Sequence, residues 1–137
     1  MRFEYLCIAL VAIFWGGYPL VARASGVGGA TGALILTLSA LAPIGIVTLW
    51  QGNALRFAGH ELAKLVVAGV MMGIGLIAFN AVANSKQLDA SVSIPIVDTA
   101  MLLVTVVGAV LFFAEPVTVK KCIGIGLLIT GILVLRP

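Results

Sequence analysis

The chain has 137 residues, of which 62% are apolar and only 9% charged, whereas soluble domains carry roughly a quarter charged residues. Its net charge of +3 comes from eight Lys and Arg against five Asp and Glu. No basic run is longer than Lys120-Lys121, which excludes a nucleic-acid surface and reads as charge flanking a membrane. Cys7 and Cys122 stand alone in apolar surroundings, with no CxxC and no neighbouring His. They read as small packing residues, and no metal or other cofactor is expected.

A helix needs about 20 mostly apolar residues to cross roughly 30 Å of hydrocarbon. Five such segments are legible, which predicts an all-α, polytopic transmembrane helix bundle forming a single membrane domain over residues 1–137. The first segment covers residues 5–22 and ends at Arg23. Arg2, an apolar run and Ala22-Arg23-Ala24 imitate a cleavable signal peptide. Trp15-Gly16-Gly17-Tyr18-Pro19 inside that run suits a packed, kinked helix better. A short glycine-bearing turn, residues 25–29, leads to the second segment, residues 30–50.

A polar stretch over residues 51–64, with Arg56, His60, Glu61 and Lys64, precedes the third segment, residues 65–83. Residues 84–89 suffice only to turn the chain, so the third and fourth segments are expected to be adjacent and antiparallel. The fourth covers residues 91–114. The fifth, residues 119–135, is cleanly apolar only from Ile123, with Lys120 and Lys121 snorkelling at its start. Arg2, Arg56, Lys64, Lys120 and Lys121 on one side against Arg23, Lys86 and Arg136 on the other favour a cytoplasmic N-terminus in a cell (plasma or inner) membrane. That orientation puts both cysteines on the reducing side, against a disulfide.

An ionisable residue at membrane depth is costly, and so is a functional-site hypothesis by default. Asp98 is such a residue, nine positions beyond Asp89 and therefore about 14 Å along the fourth helix. The helical period sets Ser91, Pro95, Asp98 and Thr105 on one face, a polar stripe able to line a pathway. Asn80 and Asn84, one turn apart on the third helix, come within reach of that stripe if the two helices are neighbours. Asp98 then binds a proton, a cation or a substrate amine, or else is a structural carboxylate satisfied by Asn80 or a partner helix.

Trp15 and Tyr18 lie inside the first helix, deeper than the interfacial positions of Tyr5 and Trp50, and offer an aromatic wall suited to organic cations and amphipathic solutes. Packing is the alternative use. Gly69, Gly73 and Gly75, with Gly124, Gly126 and Gly131, predict close helix approach. Glu115 before Pro116 is read as structural, meeting Lys120 or Lys121 in the turn. No HExxH, phosphate-binding loop or Ser-His-Asp set occurs, and the chain is not read as an enzyme.

Trp15-Gly16-Gly17, the ending Phe112-Phe113-Ala114-Glu115-Pro116, Lys120-Lys121, Gly124-Ile125-Gly126 and Gly131-Ile132 together resemble the drug/metabolite transporter superfamily. The likeness is to the five-helix EamA-type domain and to the small multidrug resistance proteins. It implies half of a ten-helix transporter whose other half is an inverted copy of itself or a paralogue, so a homodimer or paralogue heterodimer. Small multidrug resistance proteins carry an essential Glu within the first helix. This chain has only Glu4 at the start, and Asp98 stands on another helix.

The resulting expectation is a transporter of a small organic solute, cationic or amphipathic, working by alternating access in the lipid bilayer. Its site would be Asp98, Asn80, Trp15, Tyr18 and Thr105, with proton coupling if proton and substrate compete for Asp98. A non-transporting assembly or regulatory subunit, and a flippase for a lipid-linked substrate, are the alternatives.

Overall fold

The computed structural model describes residues 2–52 and 58–135. Arg56 and Arg136, which enter the expected charge bias, lie outside the described residues. The elements are α1 (Arg2–Ala24), α2 (Gly29–Trp50), α3 (Gly59–Ala83), α4 (Ala90–Phe113) and α5 (Val119–Leu135), with no strand among the described residues. The fold is therefore all-α and polytopic. Helices α1 to α4 are each long and apolar enough to cross a membrane. The 17 residues of α5 rise about 26 Å, a little short of the hydrocarbon thickness, and Lys120 and Lys121 in its first turn supply the snorkelling end.

Large apolar side chains are exposed along all five helices, while the buried apolar side chains among the described residues are small ones, Pro19, Ala33 and Ala83. This is the inverse of a water-soluble core. The backbone hydrogen bonds close within each helix and the outer surface is left to lipid. Threonines inside the helices spend their hydroxyl protons in the same local way: Thr37 on the Ala33 carbonyl, Thr48 on Ile44 and Thr130 on Gly126, each at 2.8 Å.

The chain divides into two compact units, residues 1–85 and residues 86–137. In the first, α3 is the common neighbour against which α2 and α1 both pack. The α1–α2 turn takes the backbone where only glycine goes freely, with φ of +71° at Gly26 and +64° at Gly29. Ser25 locks this turn: its hydroxyl donates to the Ala22 carbonyl at 2.6 Å and accepts the Val27 N–H at 3.2 Å. Arg23 in the last turn of α1 reaches across to donate from Nη1 to the Ala83 carbonyl at 2.8 Å. A cation is thereby placed on the negative end of α3 as well as of α1.

Helix α3 begins six residues before the apolar run that marks it in the sequence. Glu61 explains the early start, because its carboxylate accepts the Ala58 backbone N–H at 2.9 Å while its own N–H reaches the Ala58 carbonyl at 3.0 Å. Its charge also sits in the first turn, where the helix dipole favours an anion. Hydropathy marks the hydrocarbon-facing part of a helix; caps mark its ends.

In the second unit α4 packs against α5. Helix α4 stops at Phe113, one residue earlier than expected, because Ala114 turns left-handed (φ 51°, ψ 34°). The Glu115 N–H turns back to the Ala109 carbonyl at 3.3 Å, and Pro116 disfavours helix at the residue before it.

Within the chain, the close approaches at glycine are at Gly28 and Gly32. A Cβ at Gly69, Gly73, Gly75, Gly124, Gly126 or Gly131 would meet nothing within 4 Å, whereas one at Gly28 would stand 2.9 Å from the Asn84 Cβ and one at Gly32 2.6 Å from the Asn80 amide nitrogen. The tight seam of the first unit is thus between α2 and the end of α3.

Candidate functional site

Polar groups at membrane depth fall into two sets, one in each unit. In the first unit Asn80 is buried, only 2% exposed, and its Oδ1 accepts from Asn84 Nδ2 at 2.8 Å. The same Asn84 nitrogen also reaches the Asn80 carbonyl at 2.9 Å. The pair is a self-contained clasp over the last turn of α3, seated on Gly28 and Gly32. The partner found for Asn80 is its own neighbour one turn on. The Asn80 Nδ2 is buried and unbonded among the described residues, facing the bare Cα of Gly32.

Tyr18 is the centre of an aromatic group. Its ring meets Trp15 edge-on at 6.5 Å (78°) and Phe79 of α3 at 5.9 Å (36°), geometries that favour quadrupole contact. The two expected aromatics part company here. Tyr18 is half-buried and lines a cavity of about 580 Å³ between α1 and α2, floored by Gly17 and Gly32 and walled by Phe14, Val21, Ile35 and Leu36. Trp15 is 66% exposed and borders Tyr18 from outside. The cavity arises because α1 and α2 both lean on α3 and leave space between themselves.

In the second unit the polar stripe of α4 is as the helical period dictates. Ser91, Asp98 and Thr105 are all exposed and Pro95 is half-buried; with no N–H at Pro95, the Ser91 carbonyl keeps a free acceptor. Ser93, only 1% exposed, lies about 140° around the helix from Asp98 at 100° per residue, so the stripe is on a different face from the buried position. Asp98 has no hydrogen-bond or ion-pair partner among the described residues. The Thr105 hydroxyl donates to the Met101 carbonyl at 2.9 Å, which leaves its lone pairs available as acceptors.

Thr105 also lines a groove of about 420 Å³ between α4 and α5, together with Leu102, Val106, Ala109, Ile125 and Leu128. At its mouth stand Lys120, Lys121 and Glu115, with Lys121 Nζ bonded to Glu115 Oε2 at 3.0 Å.

Of the five residues expected at a site, Asn80, Trp15 and Tyr18 thus belong to one unit and Asp98 and Thr105 to the other. Within the units, Trp15 touches Tyr18, and Asp98 shares a helix face with Thr105. Sequence reasoning passed over Phe79, Gly28 and Gly32, and the Arg23 to Ala83 bond. The spacing of Gly28 and Gly32, one helical turn apart like Asn80 and Asn84, was the available signal for the seam.

The sequence matches the profile of the EamA-like transporter family over residues 2–136. No curated protein and no solved structure is significantly similar to the chain.

Proposed function

Because the chain belongs to the EamA-like transporter family, and so is a multi-pass membrane transporter of the drug/metabolite type, we propose that it moves a small organic solute by alternating access, with Asp98 as the residue that engages solute or proton. The observation that carries this reading is the unpartnered, exposed carboxylate of Asp98 on the polar face of α4. A carboxylate facing hydrocarbon costs several kcal/mol, about 2.5–3.5 on insertion scales. That face is accordingly turned to a watery cavity or a second subunit in the working protein.

A five-helix chain suits one half of an inverted-repeat transporter, completed by a second copy or a paralogue. In the second unit the proposed solute-engaging face is that of Asp98 and Thr105; in the first, Tyr18 offers an aromatic wall suited to a cationic or amphipathic solute. Asn80 supports the packing of α3. Because its oxygen is spent on Asn84 and its nitrogen faces Gly32, its role is to hold the seam. The proposed setting is a plasma or inner membrane with the N-terminus cytoplasmic.

The test is uptake into liposomes by the purified chain, screened over amines, amino acids and organic cations, with and without a pH gradient. Asp98→Asn, folded to the same yield, is expected to lose gradient-driven uptake by tenfold or more. Unchanged uptake in that variant overturns the role of Asp98. Absence of any solute movement, together with loss of subunit association in Asp98→Asn, would establish the assembly-subunit reading instead.

A further inference from the structure

The groove between α4 and α5 shares Thr105 with the proposed solute face, but it has features that solute transport does not use. It lies wholly within the second unit, its walls are apolar, and its mouth is charged. Two cations and one anion stand there. Lys121 and Glu115 neutralise each other at 3.0 Å, and Lys120 has no ion-pair partner among the described residues. The mouth therefore carries one uncompensated positive charge.

Depth sets the kind of occupant. From Lys120 to Leu128 is eight residues of α5, about 12 Å, so the groove starts at the membrane surface and extends through most of one leaflet of roughly 15 Å. Its interior is open at Gly124, where a Cβ would meet nothing within 4 Å. An occupant with an anionic end at the surface joined to a slender apolar chain below complements both the charge of the mouth and the apolar walls.

We propose that the α4–α5 groove is a binding site for an anionic phospholipid, whose phosphate sits on Lys120 and whose acyl chain lies over Gly124 between Val106 and Leu128. The Lys121–Glu115 pair flanks the headgroup and keeps the site's net charge at +1, matched to a phosphodiester. The site does not depend on which solute the protein moves.

The experiment is native mass spectrometry of the full chain released from micelles containing phosphatidylglycerol and phosphatidylcholine of identical acyl chains. One lysine near the surface favours the anionic lipid about fivefold, and wild-type protein is expected to retain phosphatidylglycerol by that ratio. Lys120→Gln brings the ratio near one. Gly124→Phe, whose ring enters the groove, lowers retention of both lipids. Lys64→Gln, a surface lysine outside the groove, leaves the ratio as it was. Equal retention of the two lipids by wild-type protein overturns the proposal. So does an equal effect of Lys64→Gln and Lys120→Gln, or undiminished retention in Gly124→Phe. Displacement of phosphatidylglycerol by millimolar inorganic phosphate would also overturn it, since a headgroup site alone would then account for the binding.

Discussion

Replacing Gly32 by Ala tests the seam between α2 and α3 most directly. The added methyl would stand 2.6 Å from the Asn80 amide nitrogen and 3.3 Å from its Cγ, and would also press on the Val27 carbonyl. Asn80 has little room to yield, being buried and tied to Asn84 through its other amide atom. Overpacking of this kind costs about 1–3 kcal/mol, and a displaced Asn80 forfeits about 1 kcal/mol more with its hydrogen bond. Against this stands the better helix propensity of Ala, up to about 1 kcal/mol. The net expectation is a loss of about 1–3 kcal/mol.

Gly45→Ala is the control, on the same helix with nothing within 4 Å of the new methyl, and it should be neutral or slightly stabilising. Reversible unfolding in mixed micelles provides the measurement. The double variant Gly32→Ala with Asn80→Ala removes the side chain that is struck but leaves the Val27 carbonyl, so part of the loss should return, with a coupling of about 1 kcal/mol. If Gly32→Ala is no less stable than Gly45→Ala, the seam is looser than the structure describes and the reasoning fails.

Three further outcomes are expected. Ala114→Gly relieves a left-handed alanine at the end of α4 and should raise stability by about 1 kcal/mol in the same unfolding assay. Arg23→Met removes the bond to the Ala83 carbonyl; the charge-assisted bond is worth about 1.5–3 kcal/mol, and hydrogen exchange in the last turn of α3 should quicken more than in its first turn. Glu115→Gln breaks a pair whose side chains are about half exposed, so thermal stability should change by less than about 1 kcal/mol, and by less still at high salt.

The sequence by itself determined the solvent of this protein and the five helices of its described residues. Composition alone called for lipid, and the five apolar segments appear as helices. The ends were less legible, as α3 shows: its first turn is fixed by the Glu61 carboxylate on the Ala58 N–H, a capping event that a hydropathy window does not register. The polar stripe of α4 was legible because it depends only on the period of one helix. So was the ion pair of Glu115 with a lysine of the next turn, six residues along the chain.

What only the tertiary structure decided is which faces meet. In a membrane protein the lipid-facing and helix-facing side chains are equally apolar, so hydropathy cannot say which side of a helix packs. Gly69 and Gly73 are the small-residue pair that stands out in the sequence, and the close approach within the chain is at Gly28 and Gly32. Trp15 and Tyr18 lie three residues apart on α1, and Tyr18 is the one that lines the cavity between α1 and α2. Asn80 closes on Asn84, its neighbour one turn along α3. Each of these outcomes depends on the neighbour a residue meets across space, and that neighbour exists only once the helices have packed.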